Sequence, residues 1–195
     1  MNTESDPITI ISPIDESTVA RLKIGQVVYI RGTIITGRDK VHMRALSSEN
    51  VPNDLNGATL FHCGPIMLNK GGKWEAIAAG PTTSARMNSM EAEMIRRFGI
   101  RAIIGKGGMS DDVLEAMKET GCVYLAAIGG AAVSLAEGIR EVAGVEWEDL
   151  GMAEAMWIFE TERFGPLIVA MDAHGNSIYD DVDRKVKDMI LSLHS

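Results

Sequence analysis

A chain of 195 residues with 19 Lys and Arg against 27 Asp and Glu carries a formal charge of −8, which argues against a nucleic-acid partner and makes any positive pocket a local arrangement. Its length suits one domain over residues 1–195, and no apolar run reaches the roughly 20 residues of a membrane span. The opening MNTESDPITIIS lacks a basic or apolar leader, so a cytoplasmic address is expected.

In chain order, ITIIS (8–12) reads as a strand, DESTVARLK (15–23) as a short capped helix and QVVYIRGTIIT (26–36) as a β-branched strand ending at Gly37. Val41, Met43 and Leu46 give DKVHMRALSSEN (39–50) helical spacing. Two further strands, ATLFHCG (58–64) and WEAIAAG (74–80), flank a turn at LNKGGK. From Gly80 onward strand and helix alternate. Met87, Met90, Met94, Ile95 and Phe98 share one face of a helix that stops at Gly99, and this stripe is core. RAIIG (101–105), a helix from Ser110 to Thr120, CVYLAAI (122–128) and a small-residue helix AAVSLAEGIR (131–140) follow. AMWIFETE (155–162) and PLIVAMDA (166–173) read as two strands, HGN (174–176) as a turn, and 180–193 as a terminal helix. The class is α/β, with mixed β elements first and flanking helices after.

Cys63 and Cys122 lie far apart and belong to no C-x-x-C pair. That spacing argues for core thiols and against a disulfide framework, or a complete metal or iron–sulfur site held by this chain. The histidines, His42, His62, His174 and His194, form no H-E-x-x-H and no i, i+4 pair, so no zinc site is expected. The glycines of GIRAIIGKGG lack P-loop spacing, and no G-x-G-x-x-G opens a helix.

Three cations stand apart: Arg38 in TGRDKVH, Arg86 in GPTTSAR and Lys106 in GKGG. Each follows a strand and precedes a helix, where free amides and the helix dipole favour anions, and the carboxyl ends of strands in an α/β sheet can bring such positions together. Taken singly, each is a solvated charge. In GPTTSARM, Pro81 and the hydroxyls of Thr82, Thr83 and Ser84 suit a helix start. Arg86 does not, because a cation in the first turn opposes the dipole, and an anion nearby is expected. Asp39 and His42, on the turn after Arg38, draw second notice, with structural or solvent-facing roles.

GRDKVH, GATLFHCGP, GPTTSARM, GIRAIIGKGG and the run GGAAVSLA…VEWEDLGMAEAMW…PLIVAMDAHGNSIY together resemble the beta subunit of class I, iron–sulfur-dependent fumarase, equivalent to the C-terminal domain of single-chain forms, and the beta subunit of L-tartrate dehydratase. The resemblance implies a swivelling β/β/α domain and a hydro-lyase of two subunit types. A 4Fe-4S cluster would be bound by the partner alpha subunit and not by this chain, in pairs of heterodimers (alpha2-beta2). It implies substrate-carboxylate binding at Arg38, Arg86 and Lys106, and a catalytic or substrate-orienting role at Thr82, for which simple capping stands as the other reading. Fumarate and L-malate are the expected substrates, with L-tartrate, or a noncatalytic anion-binding subunit, as alternatives.

Overall fold

The computed structural model describes residues 7–127 and 132–180. In chain order these form β1 (Ile8–Ser12), α1 (Glu16–Val19), β2 (Val27–Thr36), α2 (Asp39–Ser47), β3 (Thr59–Phe61), β4 (Ile66–Lys70), β5 (Lys73–Ala78), α3 (Asn88–Phe98) and β6 (Ala102–Gly105). After them come α4 (Asp111–Thr120), β7 (Val123–Ala127), α5 (Ala132–Glu137), β8 (Ile139–Glu146) and β9 (Met156–Met171). The architecture is α/β: a barrel-like sheet with helices packed outside it.

Seven strands run in the order β1-β2-β3-β6-β7-β9-β8, and a further pairing of β2 with β9 closes β2, β3, β6, β7 and β9 into a ring. The pairs β2–β3, β3–β6 and β6–β7 are parallel, whereas β7–β9 and β9–β2 are antiparallel. Closure depends on length. At 16 residues, β9 reaches β8 with its first half, β7 with its second, and β2 along its other edge.

Alternation divides the residues between two cores, because successive side chains on a strand point to opposite faces. Val28, Ile30, Phe61, Ile104, Val123, Leu125 and Val169 fill the ring. Leu60, Ile103, Tyr124 and Met171 face outward and meet Val41, Met94, Ile95, Val113 and Met117 of the helices. Strands buried on both faces read as continuous apolar runs, which is how β3, β6 and β7 appear in the sequence. Where β1 crosses β2, a Cβ on Gly32 would lie 2.2 Å from the Ser12 carbonyl oxygen, so only glycine fits there. Left-handed Gly99 and Gly121 close α3 and α4.

Several boundaries differ from expectation. The segments 155–162 and 166–173 form one strand, because Gly165 and Pro166 lie in a bulge: Val28 pairs with Leu167 and Ile30 with Phe164, leaving two residues opposite Tyr29. The missing Pro166 N–H therefore costs no regular ladder bond. WEAIAAG does not stand alone, since β4 pairs with β5 in a hairpin whose loop is only Gly71 and Gly72, both at positive φ. The helix expected over 131–140 covers Ala132–Glu137, and Ile139 starts the edge strand β8 instead. Residues 15–23 hold a single turn, Glu16–Val19, capped by the Asp15 side chain, and α2 ends at Ser47. The terminal helix expected over 180–193 lies almost wholly outside the described residues. Among those described, no helix is long and apolar enough to cross a membrane.

Candidate functional site

Parallel β2, β3 and β6 end side by side, and the residues just past their ends are Gly37–Arg38, His62–Cys63 and Lys106. The segment Pro81–Ser84 lies across these ends and is stitched to them by its backbone. Thr82 N–H donates to the His62 carbonyl at 2.7 Å, Lys106 N–H to the Thr82 carbonyl at 3.3 Å, and Ser84 N–H to the Lys106 carbonyl at 3.1 Å. Thr82 and Lys106 are thus held at fixed separation by main chain alone.

A 3-10 turn over Ser84–Met87 follows and projects Arg86, whose Nη2 is 2.8 Å from Asp39 Oδ2. Asp39 opens α2 beside Arg38, and Arg38 Nη2 is 3.2 Å from Glu154 Oε1. Arg38, Thr82, Arg86 and Lys106 therefore gather at one end of the ring, although the chain separates them widely. Two glycines make the room: a Cβ on Gly64 would lie 2.5 Å from Arg38 Nη1, and one on Gly105 would lie 1.9 Å from Ser84 Oγ.

The capping expected in GPTTSARM is corrected by the structure. Thr83 is the N-cap of the 3-10 turn without a side-chain capping bond, and α3 proper begins only at Asn88. Arg86 consequently precedes the helix instead of opposing its dipole, and the anion it meets within the chain is Asp39. The Thr82 hydroxyl has no hydrogen-bond partner among the described residues, and Lys106 is exposed without an ion pair there.

Beneath this surface lies a buried polar cluster that the sequence reading missed. Glu91 of α3 and the two histidines are fully buried. His42 Nε2 is 2.8 Å and His62 Nε2 2.9 Å from the same oxygen, Glu91 Oε2. The other ring nitrogen of His42 is 2.8 Å from the Arg38 carbonyl oxygen, and that of His62 is 2.9 Å from Ser84 Oγ, which also accepts from the Tyr124 hydroxyl at 2.9 Å. The signal was present: Glu91 occupies the face of α3 that carries Met94 and Ile95, where an unpaired carboxylate would be costly.

Protonation follows from the partners. A carbonyl only accepts, so His42 Nδ1 carries a proton; facing a carboxylate, Nε2 carries one as well, which makes the ring an imidazolium. Burial lowers the His42 pKa, yet the charge and hydrogen bond of Glu91 outweigh it, and the pKa is raised. Burial would raise that of Glu91, but the positive charge of His42, the influence of His62 and the His42 hydrogen bond hold it at about 2. For His62 burial prevails over the pull of Glu91, with His42 opposing a second charge, and the pKa is lowered.

The three facing atoms lie within 4.8 Å of one another and form a His-His-carboxylate set capable of holding a metal. The contacts of 2.8 and 2.9 Å are shorter than the ~3.3 Å edges that ligands ~2.0 Å from a tetrahedral zinc would span. A proton-bridged cluster accounts for them better. Cys63 and Cys122 are buried in the separate inner and outer cores, and burial pushes both thiols well up. Neither is suited to ligating iron, so this chain's cysteines do not fit a cluster.

The fumarase C-terminus family matches residues 1–182. The chain belongs to that family. It is 45% identical over 185 residues to the Methanocaldococcus jannaschii protein named "Putative L(+)-tartrate dehydratase subunit beta", covering 92% of this chain and 95% of that one. It is 39% identical over 168 residues to the Escherichia coli K12 L(+)-tartrate dehydratase subunit beta, covering 86% and 84%. A Geobacillus stearothermophilus protein named "Putative fumarate hydratase class I" is 46% identical over 184 residues, covering 94% of this chain but only 35% of that longer protein. The relatives' names thus join hydro-lyase subunits to the fold described here.

Proposed function

We propose that this chain is the beta subunit of a dicarboxylate hydro-lyase, interconverting fumarate and L-malate, with Arg38, Arg86 and Lys106 binding substrate carboxylates. One observation carries the reading: three cations and a threonine hydroxyl converge at the carboxyl ends of β2, β3 and β6 in a chain whose net charge is −8. A dianionic acid suits such a site. A guanidinium grips a carboxylate through two parallel bonds, whereas a lysine offers a compact charge.

Removing a proton beside a carboxylate spreads negative charge into it, so cations fixed around that carboxylate stabilise the transition state more than the ground state. Thr82, anchored at its N–H and carbonyl with its hydroxyl uncommitted, is the group of this chain that would orient the substrate or handle its proton. A 4Fe-4S cluster held by a partner alpha subunit would supply Lewis-acid chemistry at the substrate hydroxyl. An alpha2-beta2 assembly and a swivelling β/β/α domain accompany the same reading.

L-Tartrate is the second substrate reading, which fits equally well and is supported by the names of relatives that match this chain over most of their own length. The deciding experiment assembles the chain anaerobically with its alpha subunit, verifies cluster content, and measures turnover of L-malate, fumarate and L-tartrate. Preferred turnover of malate and fumarate supports the first reading, and preferred turnover of tartrate the second. A cluster-loaded pair that acts on none of them overturns both.

A further inference from the structure

We propose that His42, Glu91, His62, Ser84 and Tyr124 are positioning residues, a buried network that ties the backbone bearing Arg38 to the segment bearing Thr82 and Arg86. The inference rests on the reading of these cations as a carboxylate site. Its path runs by hydrogen bonds from the Arg38 carbonyl to His42 Nδ1 at 2.8 Å and from His42 Nε2 to Glu91 Oε2 at 2.8 Å, crosses to His62 Nε2 by close contact at 2.9 Å, and continues from His62 Nδ1 to Ser84 Oγ at 2.9 Å. Tyr124 of β7 closes the far end by donating to Ser84 Oγ at 2.9 Å.

The proton order is consistent along the path. Ser84 accepts from Tyr124 and donates to His62 Nδ1, which leaves the His62 proton on Nε2, toward Glu91. All five side chains are buried, so water does not compete for these bonds. The network joins two pieces of backbone that share no direct main-chain bond among the described residues: Pro81–Ser84 is stitched to His62 and Lys106, while Gly37, beside Arg38, donates to the Phe61 carbonyl at 2.9 Å. Among the described residues Glu91 Oε1 has no hydrogen-bond partner, and His62 Nε2 meets Oε2 out of hydrogen-bond alignment. Charge therefore holds the centre, and buried charged or polar networks of this kind specify one arrangement more than they add stability. A displacement of about 1 Å between binding groups can cost roughly 100-fold in rate, which is what such a tie would prevent.

The test uses the assembled two-subunit complex with Ser84→Ala, Tyr124→Phe, the double variant, Glu91→Leu and Glu91→Gln. Each is read by melting temperature, kcat/KM, and hydrogen exchange in peptides covering 36–42 and 82–90. Positioning predicts that Ser84→Ala lowers kcat/KM by about 5- to 50-fold, mainly through KM, and speeds exchange in both peptides although Ser84 belongs to one. The double variant should be no worse than Ser84→Ala, because Tyr124 acts through Ser84. Glu91→Gln can set its amide NH2 between the two rings and donate to both Nε2 atoms, with His42 neutral and the His62 proton moved to Nδ1 toward Ser84 Oγ, so it should recover at least about ten-fold of what Glu91→Leu loses. The proposal is overturned if exchange rises only in 82–90, if Gln is as damaging as Leu, or if the purified chain binds one equivalent of zinc at these histidines. Should the wild-type complex turn over none of the acids, the functional reading falls, and exchange at 36–42 in Ser84→Ala alone decides whether the tie exists.

Discussion

Arg38 and Arg86 each meet a carboxylate of their own chain, Glu154 at 3.2 Å and Asp39 at 2.8 Å. The Arg86 side chain is half exposed, and exposed pairs of this kind contribute at most about 1 kcal/mol. On the proposed reading Asp39 would steer Arg86 without shutting out a dianion, whose bidentate contact would be stronger. Lys106 has no such competitor among the described residues, which makes it the cleaner test of charge. Lys106→Met keeps the stem and removes the ammonium; the expected outcome is a KM for dicarboxylate raised at least about ten-fold at unchanged melting temperature, measured on the assembled enzyme. Equal loss of stability would make Lys106 a structural residue. These cations were legible in the sequence because each stands between a strand and a helix, Arg38 and Lys106 beside a glycine and Arg86 at a helix start that a cation does not suit. Glu91, His62, Ser84 and Tyr124 were not, since their meaning depends on contacts between four separate elements, and the hydroxyl of Ser84 looked like a cap.

At the level of elements, the helices were legible where a 3.6-residue stripe meets a terminal glycine, as in α3 with Gly99 and α4 with Gly121. The strands β3, β6 and β7 were legible as apolar runs. β4 and β8 escaped notice because they are exposed along much of their length and mix apolar with charged residues. The contact of α2, α3 and the end of β3 through His42, Glu91 and His62 carries a pH signature. Glu91 is held at about 2 in the folded chain against 4.5 for an ordinary glutamate, so it contributes stability that is complete above 4.5 and is lost as pH falls toward about 2. The lowered His62 pKa acts in the same direction, its contribution fading as pH falls below 6.5. The raised His42 pKa acts oppositely, contributing below 6.5 and fading as pH rises through its folded value. Melting curves from pH 7 to pH 3 should therefore show a steeper acid loss for wild type than for Glu91→Gln, in which this buried carboxylate's contribution is absent. Parallel curves would contradict the ionised pair.

For the whole molecule, ring closure was beyond a local reading, because β2 and β9 pair across more than a hundred residues and no pattern within either strand announces its partner. The α/β class and the convergence of the cations were legible, since parallel strands followed by helices place such residues at one end of a sheet. With both cysteines buried in the core, the purified chain alone is expected to fold, to be colourless and to be inactive. An iron–sulfur absorption band together with fumarate turnover by the single chain would contradict the two-subunit reading.

The most direct measurement is kcat/KM for malate dehydration by the assembled, cluster-loaded complex carrying Arg86→Lys, beside its melting curve. Charge is kept while one of two carboxylate hydrogen bonds is lost, so the expected fall is about 1.5–3 kcal/mol, or roughly 10- to 150-fold, with the melting temperature unmoved. Near-wild-type kcat/KM would contradict carboxylate recognition by Arg86, and a collapsed melting temperature would show that its bond to Asp39 serves the fold instead.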